Sequence, residues 1–281
     1  MARYTDTELV DKGAQGGVNV QSPKHHPARD VKIPGLKKRW WFPLTNYHFR
    51  VENPDDLYPV AQLLTRRIDE EVDQLEPGQN LFINMGENHP RPTTKLPQVI
   101  VADHLQQNYK DDFVVGIEGC HQTLDDYYET PEATAHDLMS SMMKNSCYTL
   151  APQTMNRLFA MLLRENIPTV FNDARWDMGG EYVHPDDPVS QAVAAKLFND
   201  MVIKKHETST EDPTGVAIRN GAMVAKALKA AKQTQARIIM QQCGRSHVYG
   251  NEGKGDQYKH SLTALQKAEG ARVLNLSLIH I

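Results

Sequence analysis

Two spacings of apolar residues alternate along this chain. Short continuous apolar runs are separated by longer stretches in which apolar positions recur every three or four residues. The runs read as buried strands and the longer stretches as amphipathic helices. The strand runs are Leu81 to Met85, Phe113 to Ile117, Pro168 to Phe171, Arg237 to Gln242 and Arg272 to Leu276. The first strong helix follows Asn53-Pro54-Asp55-Asp56, whose side chains can cap it. It carries Val60, Leu63, Leu64, Ile68, Val72 and Leu75 at helical spacing and stops at Pro77-Gly78. Further helices are expected over Leu96 to Tyr109, Pro152 to Glu165, Val189 to Lys204, Val216 to Lys232 and Tyr258 to Lys267. This β/α alternation predicts an α/β fold: a central, mostly parallel sheet flanked by helices, with right-handed crossovers.

The pattern divides the chain into three parts. Residues 1–45 have no clear periodicity and read as an irregular arm, anchored by Trp40 and Trp41. Residues 46–275 form the single α/β domain, with Thr123 to Tyr148 as a helical insertion over the site. Residues 276–281 resemble translated adapter DNA closing a metagenomic read, which marks them as a non-native tail.

Composition narrows the function classes. At 281 residues the chain can bury a substantial core. A net charge of −4 argues against nucleic acid or an anionic membrane as the main partner. No stretch reaches the roughly 18 to 20 apolar residues of a membrane span. Three cysteines and no apolar leader after Met1 point to a reducing compartment, so the expectation is a cytoplasmic protein acting on a small molecule or peptide.

The candidate chemistry sits where strands stop. A Gly-x-x-His tetrapeptide follows two of the runs, as Gly86-Glu87-Asn88-His89 and Gly244-Arg245-Ser246-His247. Glu118 follows the second strand, and Asp173 and Arg175 follow the third. In open α/β sheets the turns after strand C-termini line the ligand crevice, so these side chains are candidates for one site. Imidazoles with carboxylates make a mixed N/O set suited to Mn, Fe, Co or Zn. An ion with an open position would activate water, a spare carboxylate would move the proton, and Arg175 or Arg219 would steady an oxyanion. Cys120 and Cys243 flank candidate residues, and the simpler reading of each is a small strand-end residue. His136, His184 and His206 read as ordinary loop residues. The Walker, dinucleotide, His-Glu-x-x-His and Gly-x-Ser-x-Gly motifs are absent from the sequence.

Four short motifs carry a family resemblance. Gly86-Glu87-Asn88-His89, Glu118 within Gly116-Ile117-Glu118, Arg219-Asn220 with Met223, and Gly244-Arg245-Ser246-His247 occur in order over residues 80 to 250. This set resembles the superfamily that unites TIKI proteases, TraB/PrgY proteins, erythromycin esterases and ChaN-like haem-uptake proteins. The resemblance implies an α/β fold of the erythromycin esterase/ChaN type and a hydrolase acting on an ester or peptide bond. Within it His89, His247 and Glu118 would hold a divalent metal, Glu87 or Glu118 would move the proton, and Arg219 would orient the substrate. The alternative that it implies is a haem-binding, iron-uptake protein without catalysis. Of the tyrosines near the site, Tyr127, Tyr128 and Tyr148, none can be matched to a haem ligand.

Overall fold

A computed structural model describes residues 46–50, 57–87, 96–118, 152–174, 176–177, 182–185, 187–198, 203–204, 213–249 and 259–280. In chain order the elements are β1 (Asn46–Arg50), α1 (Leu57–Val72), β2 (Leu81–Glu87), α2 (Leu96–Asn108), β3 (Phe113–Ile117), α3 (Pro152–Arg164) and β4 (Thr169–Phe171). There follow β5 (Trp176–Asp177), β6 (Tyr182–Pro185), α4 (Pro188–Phe198), β7 (Ile203–Lys204), α5 (Pro213–Thr234), β8 (Ile238–Gly244), α6 (Arg245–Tyr249), α7 (Leu262–Ala268) and β9 (Arg272–His280).

The main sheet has six strands in the order β1-β9-β2-β8-β3-β4. Every neighbouring pair in it is parallel, as the β/α alternation predicts. The strands β5, β6 and β7 make a separate small antiparallel sheet.

Side chains alternate between the two faces of a strand, and each face of the main sheet has its own core. On one face Leu81, Ile83, Met85, Val115, Ile238 and Met240 pack against α1, α2 and α3 through residues such as Leu64, Leu105 and Phe159. On the other, Phe82, Val114, Ile239, Cys243 and Val273 pack against α5, α6 and α7 through Met223, Val248 and Leu262. Both faces are covered, so the central strands carry apolar residues on both faces rather than alternating apolar with polar.

One polar row interrupts the second core. Strand register sets Asn275, Asn84, Gln241 and Gly116 side by side across β9, β2, β8 and β3. Asn84 and Gln266 of α7 exchange amide hydrogen bonds at 2.7 and 2.8 Å, and Asn84 Nδ2 also donates to Asn275 Oδ1 at 2.8 Å. Further along the row, Asn172 Nδ2 donates to Gln241 Oε1 at 2.6 Å, and Gln241 Nε2 donates back to Asn172 Oδ1 at 3.3 Å. That amide pair lies directly over Gly116, where a Cβ would come within 2.5 Å of Gln241 Oε1 and 2.6 Å of Asn172 Nδ2.

Several boundaries differ from the sequence reading for local reasons. The helix expected over Val189 to Lys204 is described over Pro188–Phe198, and Ile203–Lys204 is a strand. Helix α5 starts earlier than Val216, at Pro213, a residue pre-shaped for the first turn. Helix α7 starts at Leu262 rather than Tyr258 because the Ser261 hydroxyl caps it, accepting from the Ala264 N–H at 3.2 Å. Strand β9 continues past Leu276 to His280, paired with β1, a strand that the apolar pattern did not mark. The arm over residues 1–45 and the expected insertion, Thr123 to Tyr148, lie outside the described residues.

Candidate functional site

The two Gly-x-x-His strands are neighbours. Strands β2 and β8 pair in parallel with Gly86 opposite Cys243 and Glu87 opposite Gly244, so both motifs begin at one level of the sheet. Their following helices leave on opposite faces: α2 joins the core of α1 and α3, while α6 and α7 join the core of α5. Adjacent parallel strands whose connections diverge in this way form a topological switch point, where α/β sheets hold their ligands.

Four of the ionisable groups named from sequence meet there. Arg219, in the second turn of α5, donates through Nε to Asp173 Oδ1 at 3.0 Å and Oδ2 at 3.1 Å. Its Nη2 donates to Asp173 Oδ2 at 2.7 Å and to Glu118 Oε1 at 2.9 Å. The guanidinium thus bridges the carboxylates delivered by β3 and β4. His247, in α6, places Nε2 3.1 Å from Glu118 Oε1. The second Glu118 oxygen accepts the backbone N–H of Gly244, at the junction of β8 and α6. All four side chains are buried, with Arg219 the most exposed at 9%.

The histidine ring is fixed from its other side by Asn220. Asn220 Nδ2 donates to the His260 carbonyl at 2.8 Å, which turns Oδ1 toward the ring, 2.6 Å from His247 Nδ1. Nδ1 therefore carries a proton, and Nε2 is the nitrogen that faces Glu118. Asn220 lies beside Arg219 in the sequence, yet only the fold gives it this orienting role.

Glu87 is held separately. It is in phase with Leu81, Ile83 and Met85 on one face of the sheet, whereas Glu118 is in phase with Val114 on the other. Gln242 Nε2 donates to Glu87 Oε1 at 2.8 Å, and Gln98 Nε2 lies 3.5 Å from Oε2. The signal for Gln242 was its place, with Gln241, inside an apolar strand run; Gln98 had none. Glu87 and Glu118, the two proton carriers that the sequence offers, thus lie on opposite faces of the sheet.

Beyond the strand ends, Lys226 of α5 ties the site to α4. Its Nζ donates to the Asp173 carbonyl at 2.6 Å and to Asp187 Oδ2 at 3.0 Å. Asp187 in turn accepts the Ser190 N–H at 2.9 Å at the start of α4. Cys243 is fully buried. Burial pushes its thiol pKa well above the usual value, and the charges of Glu118, Glu87 and Asp173 add to this while Arg219 opposes it. Such a thiol stays protonated and is a packing residue rather than a nucleophile.

His89 and Arg175 lie outside the described residues, so of the expected metal ligands His89, His247 and Glu118 the structure describes two. Among the described residues no group of three or more His, Cys, Asp or Glu side chains is arranged to hold a metal ion. The two described donors do not fit one by themselves. Both Glu118 oxygens already accept hydrogen bonds, and the Arg219 cation sits 2.9 Å from the oxygen that His247 faces. No helix among the described residues is long and apolar enough to cross a membrane. Compared with known proteins, the chain matches no family model, no curated protein and no solved structure.

Proposed function

We propose that this protein is a hydrolase of ester or peptide bonds in which His247 is the acid–base group. The observation that carries the reading is the clamped imidazole at the switch point, with Asn220 Oδ1 on Nδ1 and Glu118 Oε1 on Nε2. With Nδ1 held on Asn220, Nε2 and Glu118 Oε1 share one proton, and the pair is suited to giving that proton to a leaving group and regaining one from the attacking water. In this mechanism Asn220 sets the ring, Glu118 stabilises the charge that the imidazole acquires, and Arg219 with Asp173 keeps Glu118 in place. The substrate is a small molecule or a peptide.

The Mn, Fe, Co or Zn reading, with His89 and His247 as ligands, rests on the sequence motifs and on the shared level of β2 and β8. No step above depends on it. A haem-binding function has no observation among the described residues in its favour.

The test is a panel of p-nitrophenyl esters and fluorogenic peptides, assayed with the wild type, His247→Asn and Glu118→Gln, all purified without a metal-affinity tag. The expected result is a loss of roughly 100-fold or more in kcat for His247→Asn, with the far-UV circular dichroism unchanged. Full turnover in both variants would refute the assignment. Elemental analysis of the wild type and of His89→Ala/His247→Ala tests the metal: a near-stoichiometric ion in the wild type that the double variant loses would support it, and none in either would refute it.

A further inference from the structure

Helix α6 carries His247 and is five residues long. The terminal carbonyls of a helix have no partner within it, so a helix this short takes its pose from what it is tied to. Its two ends are tied to different elements. At the start, the Gly244 N–H donates to Glu118, just past β3. At the far end, the Val248 carbonyl accepts the hydroxyl of Thr263, in the first turn of α7, at 2.8 Å. His247 stands between these two anchors.

Thr263 is itself fixed by the buried amide row. Gln266 Nε2 donates to Asn84 Oδ1 at 2.8 Å, and Asn84 Nδ2 donates to Asn275 Oδ1 at 2.8 Å. Asn275 Nδ2 then donates to Thr263 Oγ1 at 3.0 Å. The donors run one way, from α7 across β2 and β9 and back to α7, and end on the Val248 carbonyl. Bonds in such a buried chain polarise and strengthen one another. The same stretch of chain also sets the ring. Asn220, whose Oδ1 holds His247 Nδ1, donates its amide to the carbonyl of His260, three residues before Thr263.

We propose that Thr263 is a positioning residue for His247. Through the Val248 carbonyl it fixes the helix that carries the ring, while the His260 carbonyl at the start of α7 fixes the amide that orients it. The imidazole is thereby referenced to the sheet through α7, from its backbone and from Nδ1 at once. The effect on turnover rests on the reading of His247 as the acid–base group, whereas the placement of the ring does not.

The experiment follows the His247 ring proton and turnover together, in the full chain and in Thr263→Val and Thr263→Ser. Valine keeps the branched shape without the hydroxyl, and serine keeps the hydroxyl. In protein carrying isotopically labelled histidine, the buried Nδ1–H should give a slowly exchanging ring signal by NMR that His247→Asn lacks. In Thr263→Val that proton is expected to exchange at least about 10-fold faster, while the backbone amides of β8 keep their protection. On a substrate that the wild type turns over, kcat should fall about 10- to 100-fold with KM within about twofold, the cost of a misplaced group. Thr263→Ser should restore both readouts. A wild type without the ring signal, or unchanged ring exchange in Thr263→Val, would overturn the assignment. So would a ring and a β8 that loosen together, which would make Thr263 a stability residue alone, or a serine variant that restores nothing. A ring proton that responds as expected in a protein without turnover would support the positioning and remove the hydrolase reading.

Discussion

Replacing Arg219 by methionine removes the guanidinium and keeps most of the apolar stem. The variant strands two carboxylates, Glu118 and Asp173, which are 8% and 6% exposed and receive four hydrogen bonds from that one side chain. Breaking a buried ion pair by deleting one partner costs about 3–5 kcal/mol, mostly the penalty of leaving charge in a poorly solvated place. Two such charges put Arg219→Met toward the upper end of that range. A domain of this size has about 5–15 kcal/mol of stability and a urea m-value of about 2–3 kcal/mol/M. The unfolding midpoint is therefore expected to fall by about 1.5–2.5 M urea, read by circular dichroism with m unchanged. The triple variant Glu118→Gln/Asp173→Asn/Arg219→Met removes the stranded charges while keeping an oxygen for the Gly244 and Ala174 N–H groups, and is expected to be more stable than Arg219→Met alone. A loss under about 1 kcal/mol for the single variant, or a triple variant less stable than the single, would refute the account of Arg219 as the compensating charge of a buried cluster.

Three further outcomes are expected. Gly116→Ala drives a Cβ into the Asn172–Gln241 amide pair and should cost about 2–4 kcal/mol, the usual penalty for breaking buried hydrogen bonds and leaving their groups unpaired; an unchanged urea midpoint would contradict it. Native protein at pH 8 should resist iodoacetamide at Cys243 and react there only in denaturant, whereas rapid native labelling of that thiol, located by mass spectrometry, would contradict its burial. Tyr109 has its pKa raised above the usual tyrosine value, first by burial and then by its hydrogen bond to Asp69 at 2.8 Å. Its folded value lies above the unfolded one of about 10, so its contribution is complete below pH 10 and is lost as pH rises further. Stability should therefore fall more steeply above pH 10 in wild type than in Tyr109→Phe, and parallel pH curves would contradict the shift.

Much of the site was legible because strand ends in an α/β sheet announce themselves. The apolar runs before Glu118, Asp173 and His247 located those residues at C-terminal edges, and each Gly-x-x-His glycine lies at the end of its strand, Gly86 one residue before the end of β2 and Gly244 the last residue of β8. Asn220, Gln242 and Gln98 escaped because their roles depend on partners 27, 155 and 11 residues away in the chain. The separation of Glu87 from Glu118 escaped for a different reason. Whether a strand-end residue faces one core or the other depends on its phase relative to the neighbouring strand, and that phase is a property of the assembled sheet.

The sequence by itself determined the central strands, the helices that cover them and their parallel arrangement, but not β1 or the small antiparallel sheet of β5, β6 and β7. Runs of Val, Ile, Leu and Phe long enough for a strand, separated by helix-period stretches, have few solutions other than a sheet covered on both faces. Strand order was left to the tertiary structure. Nothing local says that β8 inserts between β2 and β3, or that β9 crosses to the far side of β2. That choice sets Glu87 of β2 opposite Gly244 of β8 and places Arg219 between two carboxylates contributed by different strands. It is made by which apolar faces bury each other best, an energy summed over the whole chain and written in no single segment of it.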